Sequence, residues 1–213
     1  DYPFNLTGVL YFPKINQALD NRKDRVQLYC NQVFVTEDVK DVLPEYLVLL
    51  QGVIDSPDIP LNVSRSALQS DLNVQKITSH ISKKVSDKLQ EIFNLDRADY
   101  ESKWEYLDLI AKYGMLSDEK FAERMKDFCL VKTTEGKLHT IQEWIDHCKI
   151  NQTDKNGETV VLYATDLSAQ HMSVKNAKDM GYEVVLLDGQ LDVHFAGFAE
   201  GKWTQNDATG EME

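Results

Sequence analysis

The sequence predicts a mixed α/β protein in three parts: a larger α/β sandwich unit over residues 1–94, a helical connector over 95–150 and a small α/β/α unit over 151–213. Three patterns carry that expectation. Near the start, apolar residues alternate with polar ones, the period of a strand with one buried face. From Val74 they recur at three and four, the stripe of an amphipathic helix. After residue 150, short apolar runs alternate with helical stretches, the order that lays helices against a parallel sheet.

In chain order, "LTGVLYFPK" and "RVQLYCNQVFVTED" are rich in β-branched and aromatic residues and each reads as a strand, with the polar stretch "KINQALDNRKDR" as a surface connection. "DVLPEYLVLLQGVIDS" places Pro44 early in an apolar segment and Gly52 late, which reads as a short helix running into a buried strand, "GVID". Val74, Ile77, Ile81, Val85, Leu89, Ile92 and Phe93 line one helical face, with Asn73 placed to cap it. Helical patterns then continue through "YESKWEYLDLIAKYG", "SDEKFAERMKDFC" and "TIQEWIDHC", broken at Gly114 and "TTEGK"; Trp104 and Trp144 read as core residues. Beyond the turn cluster "NQTDKNGE" come strand "TVVLYAT", helix "SAQHMSVKNAKDMG", strand "YEVVLLDG" and helix "LDVHFAGFAEG", a β-α-β-α order whose apolar strands predict a parallel pair buried on both faces.

Composition narrows the function classes. A net charge of -12 lacks the basic face that displaces counterions from nucleic acid, so no nucleic-acid partner is expected. Hydrophobic residues at 42% and charged residues at 27% are globular values, and no long apolar run suggests a membrane span or a signal peptide. The opening "DYPFNLTG" suggests a fragment that begins mid-protein. Cys30, Cys129 and Cys148 are odd in number and lack CxxC spacing, which argues against a disulfide framework and fits a reducing, cytoplasmic setting. His80, His139, His171 and His194 show no ligand spacing, so no metal is expected. His147 and Cys148 are adjacent, and neighbours on a helix face apart; they read as a surface His beside a partly buried Cys.

The stretch with the most chemical content is "SPDIPLNVSRSALQSD", residues 56–71. Pro57 and Pro60 hold the chain extended, Ser64 fits a helix N-cap, and Arg65 and Gln69 fall on one helical face. A cation in the first turn opposes the helix macrodipole, at a cost of roughly 0.3–1 kcal/mol. Only five of the 23 basic residues are Arg, so surface charge here is normally left to Lys. A guanidinium, a side-chain amide and free helix amides together suit a phosphate. An exposed Arg at a helix end also serves solubility alone, and local features leave both readings open.

"LPEYLVLLQGVIDSPDIPLNVSRSALQSD", with "YFPK", "LYCNQVFVTED" and "YEVVLLDG" in order around it, resembles the middle domain of the heat-shock protein 90 chaperone family, in its bacterial type. The resemblance covers nearly the whole chain. It implies a fragment of an ATP-dependent, homodimeric chaperone whose ATP and Mg2+ are held mainly by an amino-terminal ATPase domain, with a carboxy-terminal domain for dimerisation. It implies that the middle domain supplies Arg65 to the ATP γ-phosphate, accompanied by Gln69 and Asn62, and that the fragment alone is inactive. Ser66 and Ala67 depart from the family, which often has an acid after the arginine. Unfolded or partly folded clients are the other implied partners; Val193, His194, Phe195 and Phe198 are the candidate client contacts, with core packing the competing role for the two Phe. A non-catalytic client or co-chaperone binding module is the alternative function.

Overall fold

The computed structural model describes residues 5–13, 26–37, 39, 43–59 and 72–203. The chain divides into two compact units, Asp1–Ile110 and Ala111–Glu213. Each is mixed α/β and is built around one four-stranded sheet.

In the first unit the strands are β1 (Thr7–Tyr11), β2 (Val26–Cys30), β3 (Val33–Thr36) and β4 (Gln51–Asp55), in the order β1-β4-β2-β3. β4 runs antiparallel to β1 and parallel to β2, and β2 antiparallel to β3. The second stretch predicted as a strand is thus a hairpin. Its turn is Asn31 and Gln32, at φ of 50° and 65°, the left-handed pair that matches the twist of two adjoining strands. Sequence pattern misses it because Gln is an unusual second residue for such a turn. Val26, Leu28, Cys30 and Ile54 are buried, the alternation expected of a half-buried sheet. Where β1 meets β4 the backbones approach so closely that a Cβ on Gly52 would lie 1.9 Å from the Val9 carbonyl oxygen.

A 3-10 turn, Glu45–Leu49, leads into β4 as expected from Pro44, but the strand expected to be buried is only half so: Ile54 is buried and Val53 exposed, because one face of the sheet is open at that residue. Helix α1 (Leu72–Leu95) buries Val74, Ile77, Ile81, Val85 and Leu89 of the predicted stripe, while Ile92 and Phe93 in its last turns are half-buried. Asn73 lies inside this helix, not before it. A single residue, Asp96, separates α1 from α2 (Arg97–Ser117), and its carboxylate accepts the Asp99 amide at 3.0 Å, capping the new helix. Tyr100 seals the bend, edge-on to Phe93 at 5.4 Å, with the Arg97 guanidinium 4.7 Å above the Phe93 ring.

The second unit follows with α3 (Glu119–Met125), β5 (Leu130–Thr133), β6 (Leu138–Thr140), α4 (Ile141–Lys149), β7 (Leu162–Ala164), α5 (His171–Asp179), β8 (Val184–Leu186) and α6 (Asp192–Trp203). The β5–β6 hairpin is an addition to the stretch expected to be helical. It turns at Gly136, φ 83°, inside the "TTEGK" break, and its β5 joins the sheet beside β8. The sheet order is β6-β5-β8-β7. The parallel pair predicted from the β-α-β-α pattern is β7 with β8, joined through α5; β8 is buried as expected, but β7 lies at the sheet margin with Tyr163 52% exposed, so the pair is not covered on both faces. A capping box starts α4: the Thr140 hydroxyl accepts the Glu143 amide at 3.1 Å and the Glu143 carboxylate accepts the Thr140 amide at 2.7 Å. Trp144 and Cys148 of α4 form the core with Val185 and Leu187, and Trp104 is buried in α2.

Candidate functional site

Asn62, Arg65 and Gln69 lie outside the described residues; the structure describes the chain up to Ile59 and again from Leu72. On the incoming side, β4 ends at Asp55 and the chain is caught at once by the hairpin beside it. The Ser56 amide donates to the Tyr29 carbonyl at 3.1 Å, and Ser56 is fully buried. One Asp55 carboxylate oxygen accepts the Gln32 amide at 2.9 Å, so the left-handed turn and the loop base are one hydrogen-bonded piece. The other, Oδ1, is buried and takes no hydrogen bond from any described residue. The Ser56 carbonyl accepts the Ile59 amide at 3.3 Å and its hydroxyl the Asp58 amide at 3.3 Å, and Ile59 is 1% exposed. The Cys30 thiol points at the Pro57 carbonyl, 4.0 Å away.

On the outgoing side the chain re-enters the core within the first turns of α1, at Val74 and Ile77. That helix is in turn fixed to the segment before β4 by the buried contact between the Tyr46 hydroxyl and the Ser82 hydroxyl, 2.7 Å apart. Ile59 before the undescribed segment and Val74 after it are thus both buried in described structure. Asp55, Ser56 and Tyr29 were not singled out from the sequence as positioning residues. The signal available for them was the polar Asp-Ser pair breaking an apolar strand just before Pro57.

The candidate client contacts lie on α6. Val193 is 52% exposed and His194 is exposed, Phe195 is 2% exposed, and Phe198 is half-buried with its ring 6.4 Å from that of Phe195. The start of this helix is held by a buried ion pair: Lys112 of α2 donates to Asp192 Oδ1 at 2.5 Å, and Asp192 Oδ2 accepts the Gly189 amide at 2.9 Å. The Lys112 ammonium also sits 5.7 Å from the Phe195 ring centroid.

His147 and Cys148 do not form a nucleophilic pair. His147 Nε2 contacts Glu183 Oε1 at 2.7 Å on the surface, while Cys148 is buried beside Trp144. Burial, with the Glu183 charge adding, pushes its thiol up to about 11 and keeps it protonated and unreactive near neutrality. Among the described residues no group of three His, Cys, Asp or Glu is placed to hold a metal ion, and no helix is long and apolar enough to cross a membrane.

Two mixed four-stranded sheets with these helical connections match the architecture of a middle domain of the heat-shock protein 90 chaperone class. The chain belongs to that family: the model described as "Hsp90 protein" matches residues 3–197. It is 57% identical over 202 residues to the chaperone protein HtpG of Porphyromonas gingivalis, covering 95% of this chain and 30% of that protein. With HtpG of Bacteroides thetaiotaomicron it shares 50% over 206 residues. Its fold is that of the middle domain of a Plasmodium falciparum heat shock protein, with a TM-score of 0.67 at 16% identity, over 94% of this chain and 79% of that one. The chain thus spans about 30% of the length of the curated relatives it matches.

Proposed function

We propose that this chain is the part of an ATP-driven chaperone that completes the ATPase from outside the nucleotide pocket. In the full-length protein an amino-terminal domain holds ATP and Mg2+, and Arg65 of the middle domain reaches the γ-phosphate, with Gln69 and Asn62 as accompanying donors. The donor set suits that target: a planar cationic fork and two side-chain amides match the oxygens of a terminal phosphate. Phosphoryl transfer to water depends on positioning and charge stabilisation, and an arginine arriving in trans serves both. Delivered only when the domains close, Arg65 couples turnover to a motion able to remodel a client.

The observation that carries this reading is the identity of 57% to an HtpG chaperone over 95% of the chain. The full-length protein is expected to be a cytoplasmic homodimer through a carboxy-terminal domain. Client contact is assigned to the exposed residues Val193 and His194 on α6, with Phe198 beside them and Phe195 supporting from the core.

Steady-state ATP turnover of the full-length protein, wild type against Arg65→Ala, tests the reading. A fall of at least about tenfold in turnover, with nucleotide affinity nearly unchanged, is expected; that is a loss of about 1.4 kcal/mol or more of transition-state stabilisation. Unchanged turnover would leave the chain as a client or co-chaperone binding module without a catalytic role.

A further inference from the structure

β7 lies at the margin of the second sheet; it is a short edge strand of three residues, and neither a Pro nor a charged residue stands on it. The Leu187 amide donates to the Ala164 carbonyl at 2.8 Å, so in the parallel pair Ala164, and by alternation Leu162, turn their main-chain groups toward β8. Val160 follows the same side, its amide and carbonyl both taken by Gln152 at 2.7 and 2.8 Å. Val161 and Tyr163 therefore direct their N–H and C=O outward, away from the sheet. Val160, Val161, Tyr163 and Leu167 are 43%, 39%, 52% and 37% exposed.

Edges in soluble proteins are usually blunted by Pro, Lys or other charges on the strand. The stretch "TVVLYAT" carries none of these, whereas the opposite edge, β6, begins directly after Lys137. Charge stands at the two ends of the bare strand, and it is acidic. Residues 151–170 hold Asp154, Glu158 and Asp166 against Lys155 alone, a net charge of -2, and Glu158 and Asp166 are both exposed. The Ser168 hydroxyl and the amides of Ala169 and Ser168 hold the Asp166 carboxyl below its ordinary range, so this charge persists into mild acid.

We propose that the β7 edge takes an extended segment of partly folded polypeptide as an added strand, apolar at alternate positions and basic at its flanks. The outward N–H and C=O groups of Val161 and Tyr163 supply main-chain pairing that is indifferent to sequence. The exposed side chains of the same two residues meet the alternate apolar positions of the segment, and the flanking carboxylates favour Lys or Arg at its ends. This rests on the chaperone reading only for the natural occupant; the edge itself is independent of Arg65.

Titration calorimetry of the 213-residue chain with a capped peptide of alternating Val and Thr between pairs of Lys tests the proposal. Binding is expected, with slowed hydrogen exchange at the Tyr163 amide. Tyr163→Pro deletes one outward N–H and leaves the bonds to β8 in place, since an edge strand tolerates Pro on its open side. It is expected to weaken binding by at least about tenfold, or roughly 1.4 kcal/mol. Val161→Lys, an exposed change that repels the basic flanks, is expected to weaken it severalfold in a chain of unchanged melting temperature. A peptide N-methylated at alternate amides is expected not to bind. Equal affinity for folded Tyr163→Pro or for the N-methylated peptide overturns the proposal, as does absence of binding by the wild type. A concentration-dependent dimer abolished by Tyr163→Pro also overturns it, by making a second copy the occupant. Arg65→Ala leaves this titration unaffected, so the edge and the arginine fail separately.

Discussion

Replacing Asp192 with Asn tests how the second unit is held together. In the native chain Lys112 and Asp192 are joined at 2.5 Å with side chains only 6% and 5% exposed, so neither charge retains much contact with water. The substitution keeps the size of the side chain and an oxygen for the Gly189 amide, but it removes the charge that meets the ammonium. Removing one member of a buried pair costs about 3–5 kcal/mol, far more than the pair contributes relative to an apolar replacement, because the remaining ion stays in a low-dielectric site. For a chain of this size about 2–4 °C accompanies each kcal/mol, so the melting transition that includes α6 should fall by roughly 6–20 °C. Scanning calorimetry at constant pH measures the shift, and near-ultraviolet dichroism of a Trp104→Phe background, which leaves Trp144 as the buried Trp among the described residues, assigns it to this unit. Combining Lys112→Met with Asp192→Leu should recover most of the loss, since it removes both ions and fills their space with apolar volume. A shift of less than about 2 °C for Asp192→Asn, the equivalent of under about 1 kcal/mol, would mean that water reaches the pair and that the reasoning from burial is wrong.

Other outcomes follow from single sites. Gly52→Ala places a Cβ 1.9 Å from the Val9 carbonyl at a φ of 137°, so it should separate β1 from β4 and cost more than about 3 kcal/mol, visible as early loss of the first unit in urea unfolding. Gln32→Gly relieves a left-handed non-glycine residue in the β2–β3 turn and should raise stability by about 0.5–1 kcal/mol in the same assay. The Cys148 thiol has its pKa raised in the folded chain, so the stabilisation from its neutral form is complete below the ordinary thiol pKa and is lost as pH climbs from about 9 to about 11; stability against pH, wild type against Cys148→Ala, should diverge over that window.

What could be read from the sequence follows the range of the interactions involved. The α1 stripe, the Pro44 entry into β4 and the parallel pair around α5 all leave a periodic or capping mark within a few residues, and each is where the pattern places it. The β2–β3 hairpin was read as one strand because Asn31 and Gln32 interrupt the apolar pattern without a glycine. The β5–β6 hairpin lay hidden in a helical stretch because two strands of four and three residues are too short to set a period of their own; β5 is fixed by its neighbour β8, which lies far along the chain. At the candidate site, Arg65 stood out because it breaks a local electrostatic rule, whereas Asp55 and Ser56 matter through Gln32 and Tyr29, partners that a linear reading cannot supply.

The Lys112–Asp192 pair also sets an order of events during synthesis. Asp192 follows Lys112 by 80 residues, which at about 5–20 residues per second is a delay of roughly 4–16 s. Throughout that interval α2 can form, yet its lysine lacks the carboxylate that makes its burial tolerable, so the emerging segment has no stable way to close over it. Stable burial of Lys112 is therefore expected to wait until α6 has been made. A domain proposed to act on half-folded chains would itself pass through such a state, and α6 would be the latch that ends it.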